Sequence, residues 1–111
     1  MTTLAERLDE ALERADLDHA EAARVLGTNP RTVSRWLHEA ARPRPDARER
    51  VLELLAVLER LGRSLRPEPA HDWLFTPNPL LDYRKPVELL REGRYREVLG
   101  AIDALGEGVA V

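Results

Sequence analysis

Cysteine is absent from the 111 residues, which removes disulfides, thiolate metal sites and cysteine nucleophiles together. The absence fits a cytoplasmic protein. Lysine is nearly absent as well: of 17 basic residues only Lys85 is lysine, a bias to which no function is attached. Aromatic residues make up 5%, so a core has to come from leucine, valine and alanine. No apolar run approaches the roughly 20 residues that a membrane span needs. The opening MTTLAERLDE lacks the basic-then-apolar order of a signal peptide. His19, His38 and His71 are scattered and show no metal-ligand spacing. Ser34 and Ser64 have no neighbouring base, Asp82 and Asp103 are isolated carboxylates, and no glycine-rich phosphate loop occurs. Catalysis needs positioned acids, bases or nucleophiles. The expectation is a protein that is not an enzyme and uses neither metal nor cofactor.

What is present is ordinary in amount and informative in arrangement. The chain is 43% hydrophobic and 33% charged, which suits a small helical protein. A body of this size buries a modest share of its surface and is marginal alone, so dimerisation or a stable partner is expected. The net charge of −3 hides an asymmetry. Residues 1–23 hold two arginines against seven acids, a net of −5; residues 24–50 hold seven arginines against three acids, a net of +4. A basic stretch in an acidic chain is either a phosphate-facing surface or solvated helix charge.

Apolar spacing is helical nearly throughout, and the chain is expected to be all-α. Thr3-x-x-Glu6 has the form of a capping box, followed by a stripe of Leu4, Leu8, Ala11, Leu12 and Ala15. A second helix starts near Asp18 and stops at Gly27. Asn29 is a good N-cap with Pro30 at the first helical position, and the third helix runs to about Ala40. Asp46-x-x-Glu49 caps a long fourth helix that ends at Gly62. Residues 63–69 form a linker between a first half, 1–62, and a second, 70–111. In the second half a short helix at 70–75 carries Trp73, and Thr76-Pro77-Asn78-Pro79 makes a rigid turn. Pro86 starts a helix that Gly93 ends, and Tyr95–Leu105 is the last helix before a tail, 107–111.

The helices at 18–26 and 29–40, joined by a glycine turn, match the helix-turn-helix plan. Val25, Leu26, Val33, Trp36 and Leu37 would pack inward. That leaves Asn29, Arg31, Thr32, Ser34 and Arg35 on the outer face at the start of the second helix, where such helices meet base edges. Arginine bonds guanine in a bidentate way, and threonine and serine contact bases or phosphates. Arg24, Arg42, Arg44 and Arg48 are candidates for backbone contacts. This stretch resembles the Xre-type, phage-repressor-like helix-turn-helix.

The second half carries a more specific order: WLFTPNPLL at 73–81, RKP at 84–86, ELLREGRYREVL at 88–99, then Ile102-Asp103. It resembles the C-terminal toxin-binding domain of the Xre/MbcA/ParS antitoxin family over roughly residues 70–111, and the first half fits that family too. The resemblance implies an N-terminal helix-turn-helix bundle followed by a small helical toxin-binding domain. It implies a type II toxin–antitoxin system in which the partner is a RES-domain toxin that degrades NAD, its active site covered by the antitoxin. Trp73 and Tyr95 belong to the toxin-binding platform. Arg84 and Lys85 match the basic pair before the helix and would meet acidic groups on the toxin. Glu107, Gly108, Val109, Ala110 and Val111 match the family's tail, which would obstruct the NAD site. Operator DNA is a second expected partner, bound by a homodimer or a higher hetero-oligomer with toxin.

Two other readings stand beside this one. The chain is then a helix-turn-helix transcription regulator whose C-terminal half only dimerises, with no toxin. Or it is a stand-alone interaction module whose helix-turn-helix no longer binds DNA.

Overall fold

Three helix starts follow directly from local chemistry. Thr3 opens α1 (Leu4–Arg14): its hydroxyl accepts from the N–H of Glu6 at 3.1 Å, and the Glu6 carboxylate accepts from the N–H of Thr3 at 3.3 Å. Asp18 and Glu21 repeat the reciprocal pair at α2 (His19–Leu26), at 2.7 and 3.0 Å. Asn29 caps α3 (Pro30–Leu37), its Oδ1 accepting from the N–H of Thr32 at 2.9 Å. Each cap satisfies backbone donors that the helix leaves without partners. Between α2 and α3, Gly27 sits at φ 72°, the left-handed conformation that glycine adopts without a steric penalty.

The computed structural model describes residues 1–106. It continues with α4 (Pro45–Leu61), α5 (Pro67–Leu74), a 3-10 turn at Pro79–Leu81, α6 (Pro86–Arg91) and α7 (Tyr95–Gly106). Among the described residues there is no strand, only an isolated antiparallel bridge between Asn78 and Arg84. The all-α expectation therefore holds.

Two boundaries differ from the sequence expectation. α3 stops at Leu37 rather than near Ala40, because Glu39 turns left-handed at φ 58° and the N–H of Ala40 closes back on the carbonyl of Arg35 at 2.9 Å. α4 is not capped by Asp46. Its N-cap is Arg44, which makes no side-chain cap, and Pro45 is the first helical residue. Proline's fixed φ and missing N–H suit that position, and Asp46 instead places a carboxylate in the first turn, beside the positive end of the helix dipole.

The segment expected as a linker, 63–69, is divided. Its last three residues begin α5, and the N–H groups of Ser64 and Leu65 close back on the carbonyl of Leu61 at 3.0 Å each. The helices on either side pack into each other. α4 lies against α1, α2 and α7, and α2 lies against both α3 and α6. One apolar cluster holds Leu8 and Leu12 of α1, Val33 of α3, Leu54 and Leu58 of α4, Leu74 of α5, Leu89 of α6 and Ile102 of α7. Its makeup of leucine, valine and alanine, with few aromatics, follows the composition.

Polar ties cross the same seam. The Nε2 of His71 lies 2.7 Å from the Oε2 of Glu21, and the His71 ring stacks on Phe75 at 4.5 Å. Arg60 donates to Asp103 at 3.1 Å. Arg50 of α4 donates to the carbonyls of Leu90 and Arg91 at 3.1 and 3.2 Å, and so supplies partners for the open C-terminus of α6.

Gly93 is required by this arrangement twice over. Its φ is 83°, and an added Cβ would meet the Arg50 guanidinium at 3.2–3.4 Å. Gly93→Ala is expected to destabilise the protein by about 1–3 kcal/mol, measurable as a lower urea midpoint.

Candidate functional site

The outer face of α2 and α3 is positioned by what lies beneath it. Val33 is fully buried and Trp36 nearly so. The intervening positions are therefore turned outward. Arg24, Arg31, Arg35, Arg42 and Arg44 are all exposed. No carboxylate lies within salt-bridge distance of any of them among the described residues. Arg48 is exposed in the same way. The smaller residues of the expected reading set are partly engaged. Asn29 Oδ1 accepts from both the N–H and the hydroxyl of Thr32, at 2.9 and 3.1 Å, so the amide nitrogen of Asn29 is the group left to donate outward. Ser34 is half-buried, with its Oγ 3.4 Å from the Nδ1 of His38. Arg31 and Arg35 thus project freely from α3, and Arg42 and Arg44 add exposed positive charge in the segment that follows it, on a chain of net charge −3.

The second surface belongs to α5, α6 and the turn between them. Trp73 is half-buried and lines an open groove with Leu65, Pro67, Pro77, Pro79 and Leu105. Its Nε1 is buried with no hydrogen-bond partner. Asn78 is the buried polar residue that ties the turn together: its Oδ1 accepts from Leu80 N–H at 2.9 Å, and its carbonyl accepts from the N–H groups of Leu81 and Tyr83 at 2.9 Å each. Tyr95 begins α7, half-buried against the core, with the Arg96 guanidinium 5.7 Å above its ring.

Arg84 and Lys85 are adjacent in sequence and differ in state. Arg84 makes a two-point pair with Glu92. Glu92 also receives Arg94, which in turn makes a two-point pair with Glu97. Hydrogen bonding from Arg84 holds the Glu92 carboxyl below the usual carboxylate range, and Arg94 does the same for Glu97. The Arg84 charge is compensated within the chain. Lys85 is exposed and lines a shallow cleft with Glu21, Arg24, Val87, Glu88 and Arg91. Arg24 of the first surface and Lys85 of the second therefore meet at one cleft. Glu107, Gly108, Val109, Ala110 and Val111 lie outside the described residues.

Sequence reasoning passed over Leu80 and Tyr83, which are the large apolar residues that stand exposed beyond Met1. The available signal was weak: both fall between Pro79 and Pro86, where no helical stripe accounts for an apolar side chain.

The fold has close counterparts. Residues 58–108 match the Antitoxin Xre/MbcA/ParS C-terminal toxin-binding domain. The match begins inside α4, in keeping with the packing of α4 on α7. The mycobacterial cidal antitoxin MbcA of Mycobacterium tuberculosis is 38% identical over 111 residues, covering 100% of this chain and 98% of that protein, and the same figures hold for MbcA of Mycobacterium bovis. A probable mycobacterial cidal antitoxin, also of M. tuberculosis, is 30% identical over 107 residues, covering 96% and 91%. Among solved structures, the crystal structure of the M. tuberculosis MbcT–MbcA toxin–antitoxin complex contains a chain that superposes with a TM-score of 0.89 at 38% identity, covering all of both chains.

Proposed function

This chain belongs to the Xre/MbcA/ParS antitoxin family, and from that premise we propose that it neutralises a RES-domain, NAD-degrading toxin by covering the toxin's active site. The observation that carries the reading is the full-length likeness to an antitoxin solved together with its toxin. The antitoxin role and the absence of catalysis come with the family. In the proposed division of labour, the α5–α7 half, with Trp73, Lys85 and Tyr95, holds the toxin, and residues 107–111 obstruct its NAD site. Arg84, paired with Glu92, acts by stiffening the platform rather than by meeting the toxin directly.

The test is co-expression with the product of the flanking gene. A stable complex, rescue of growth and preserved cellular NAD are the expected results. A flanking product that neither binds this chain nor consumes NAD would reject the reading.

The arginine face supports a second part of the same function, repression of the chain's own operon. Charge of this kind neutralises phosphates, and the affinity then falls steeply with salt. Two copies reading two half-sites would be the binding form. Arg31→Ala and Arg35→Ala should each weaken operator binding by about 1–3 kcal/mol in a gel-shift titration. Arg42→Ala and Arg44→Ala should weaken binding to all sequences alike and flatten the salt dependence. Operator affinity that is indifferent to all four substitutions would remove DNA from the function.

A further inference from the structure

Leu80 and Tyr83 are 48% and 73% exposed, and both sit on the turn closed by the Asn78–Arg84 bridge. That turn is held from several directions. Asn78 is 4% exposed, and besides the bonds already described its N–H donates to the carbonyl of Arg84 at 3.1 Å. The bonds force Asp82 and Tyr83 into consecutive left-handed conformations, φ 54° and 63°. Aspartate tolerates that region; for a bulky residue such as tyrosine it is an outlier. The fold recovers nothing from the ring, which stands in solvent instead of packing. A strained backbone that presents an unpacked aromatic on a rigid turn points to a contact made outside the chain.

The surroundings say what kind of contact. The same turn carries Pro77 and Pro79 into the wall of the Trp73 groove. Arg84, the residue after Tyr83, is neutralised by Glu92. The patch therefore suits an apolar recess better than an acidic one. All of its residues lie within 58–108, the segment that matches the family's toxin-binding domain.

We infer that Tyr83 and Leu80 are the anchors by which this chain grips its toxin, with the Tyr83 ring seated in an apolar pocket of the toxin. The inference rests on the toxin-binding reading proposed above. A preordered aromatic loses little freedom on binding, and buried aromatics dominate interface energetics while the contacts around them mainly exclude water.

Tyr83→Gly separates the anchor from the fold, because glycine adopts φ 63° freely. The variant is expected to melt no lower than wild type, yet to bind the purified flanking-gene toxin more weakly by a factor on the order of thirty or more. Tyr83→Phe, which keeps the ring, should bind like wild type, and Leu80→Ser should weaken binding without lowering the melting temperature. Wild-type affinity in Tyr83→Gly overturns the inference. So does a Tyr83→Gly protein that changes from dimer to monomer while holding toxin as before, which would assign the patch to a second copy of this chain. If wild-type protein itself fails to bind the toxin, the failure lies with the proposed function, and this inference falls with it.

Discussion

Cutting Leu58 back to alanine is expected to cost about 2–5 kcal/mol and to unfold both ends of the chain together. α4 is buried at Val51, Leu54, Leu55, Val57, Leu58 and Leu61. At roughly 100° per residue these positions cover an arc of about 160°, and Leu58 stands near its middle at 1% exposure. Because α4 packs on α1 and α2 on one hand and on α7 on the other, a cavity there removes contacts from both parts of the protein. A domain of this size is stable by only about 5–15 kcal/mol, so the loss should lower the melting temperature by on the order of 10 °C or more. The two tryptophans give separate reporters, Trp36 in α3 and Trp73 in α5. In Trp36→Phe and Trp73→Phe backgrounds, the remaining fluorescence should follow one coincident urea transition, before and after Leu58→Ala. Two separated transitions, or a shift seen by only one tryptophan, would mean that the halves do not share a core.

That experiment bears on what was legible in the sequence. The caps at Thr3, Asp18 and Asn29 were, because each is a contact between residues three apart, and the pattern is the chemistry. The start of α4 was misread for the same local reason: Asp46 and Pro45 both signal a helix start, and only the backbone shows that the proline took the first helical position. The segment GRSLRPEP has the composition of a linker. Whether the chain on either side docks together is settled by long-range packing, α4 on α7 and α2 on α6, and by pairs such as Glu21–His71 that lie 50 residues apart. No local pattern encodes those.

The surfaces divide in a similar way. Arg24, Arg31 and Arg35 could be listed from helical spacing alone, since a buried stripe fixes which residues point away. Arg84 could not be assigned. Its partner Glu92 lies eight residues on and across a helix, outside the three- and four-residue spacings by which helical ion pairs are recognised. Tyr83 was hidden more deeply. An exposed aromatic in a proline-rich turn resembles any other loop residue until its left-handed backbone is seen.

Removing residues 107–111 is expected to leave toxin binding nearly unchanged and to abolish inhibition. Affinity and inhibition should separate if, as proposed, they reside in different parts of the chain. In the proposed division of labour the grip comes from the platform of α5–α7 and its turn, where ordered apolar side chains would lose little on binding. In sequence the tail follows α7, whose Leu105 lines the Trp73 groove. Five residues reach at most about 17 Å when extended, far enough to enter a pocket next to the contact. Glycine, valine and alanine at 108–111 carry small side chains, which suits the proposed entry into the toxin's NAD site. A protein ending at Gly106 should therefore co-purify with the flanking-gene toxin within about tenfold of full-length affinity, a free-energy change of about 1.4 kcal/mol, while NAD is consumed at the rate of the toxin alone. Full inhibition by the shortened protein would place the block on the platform itself. The complex would then close the active site by rigid coverage, with Tyr83 and the Trp73 groove beside the entrance.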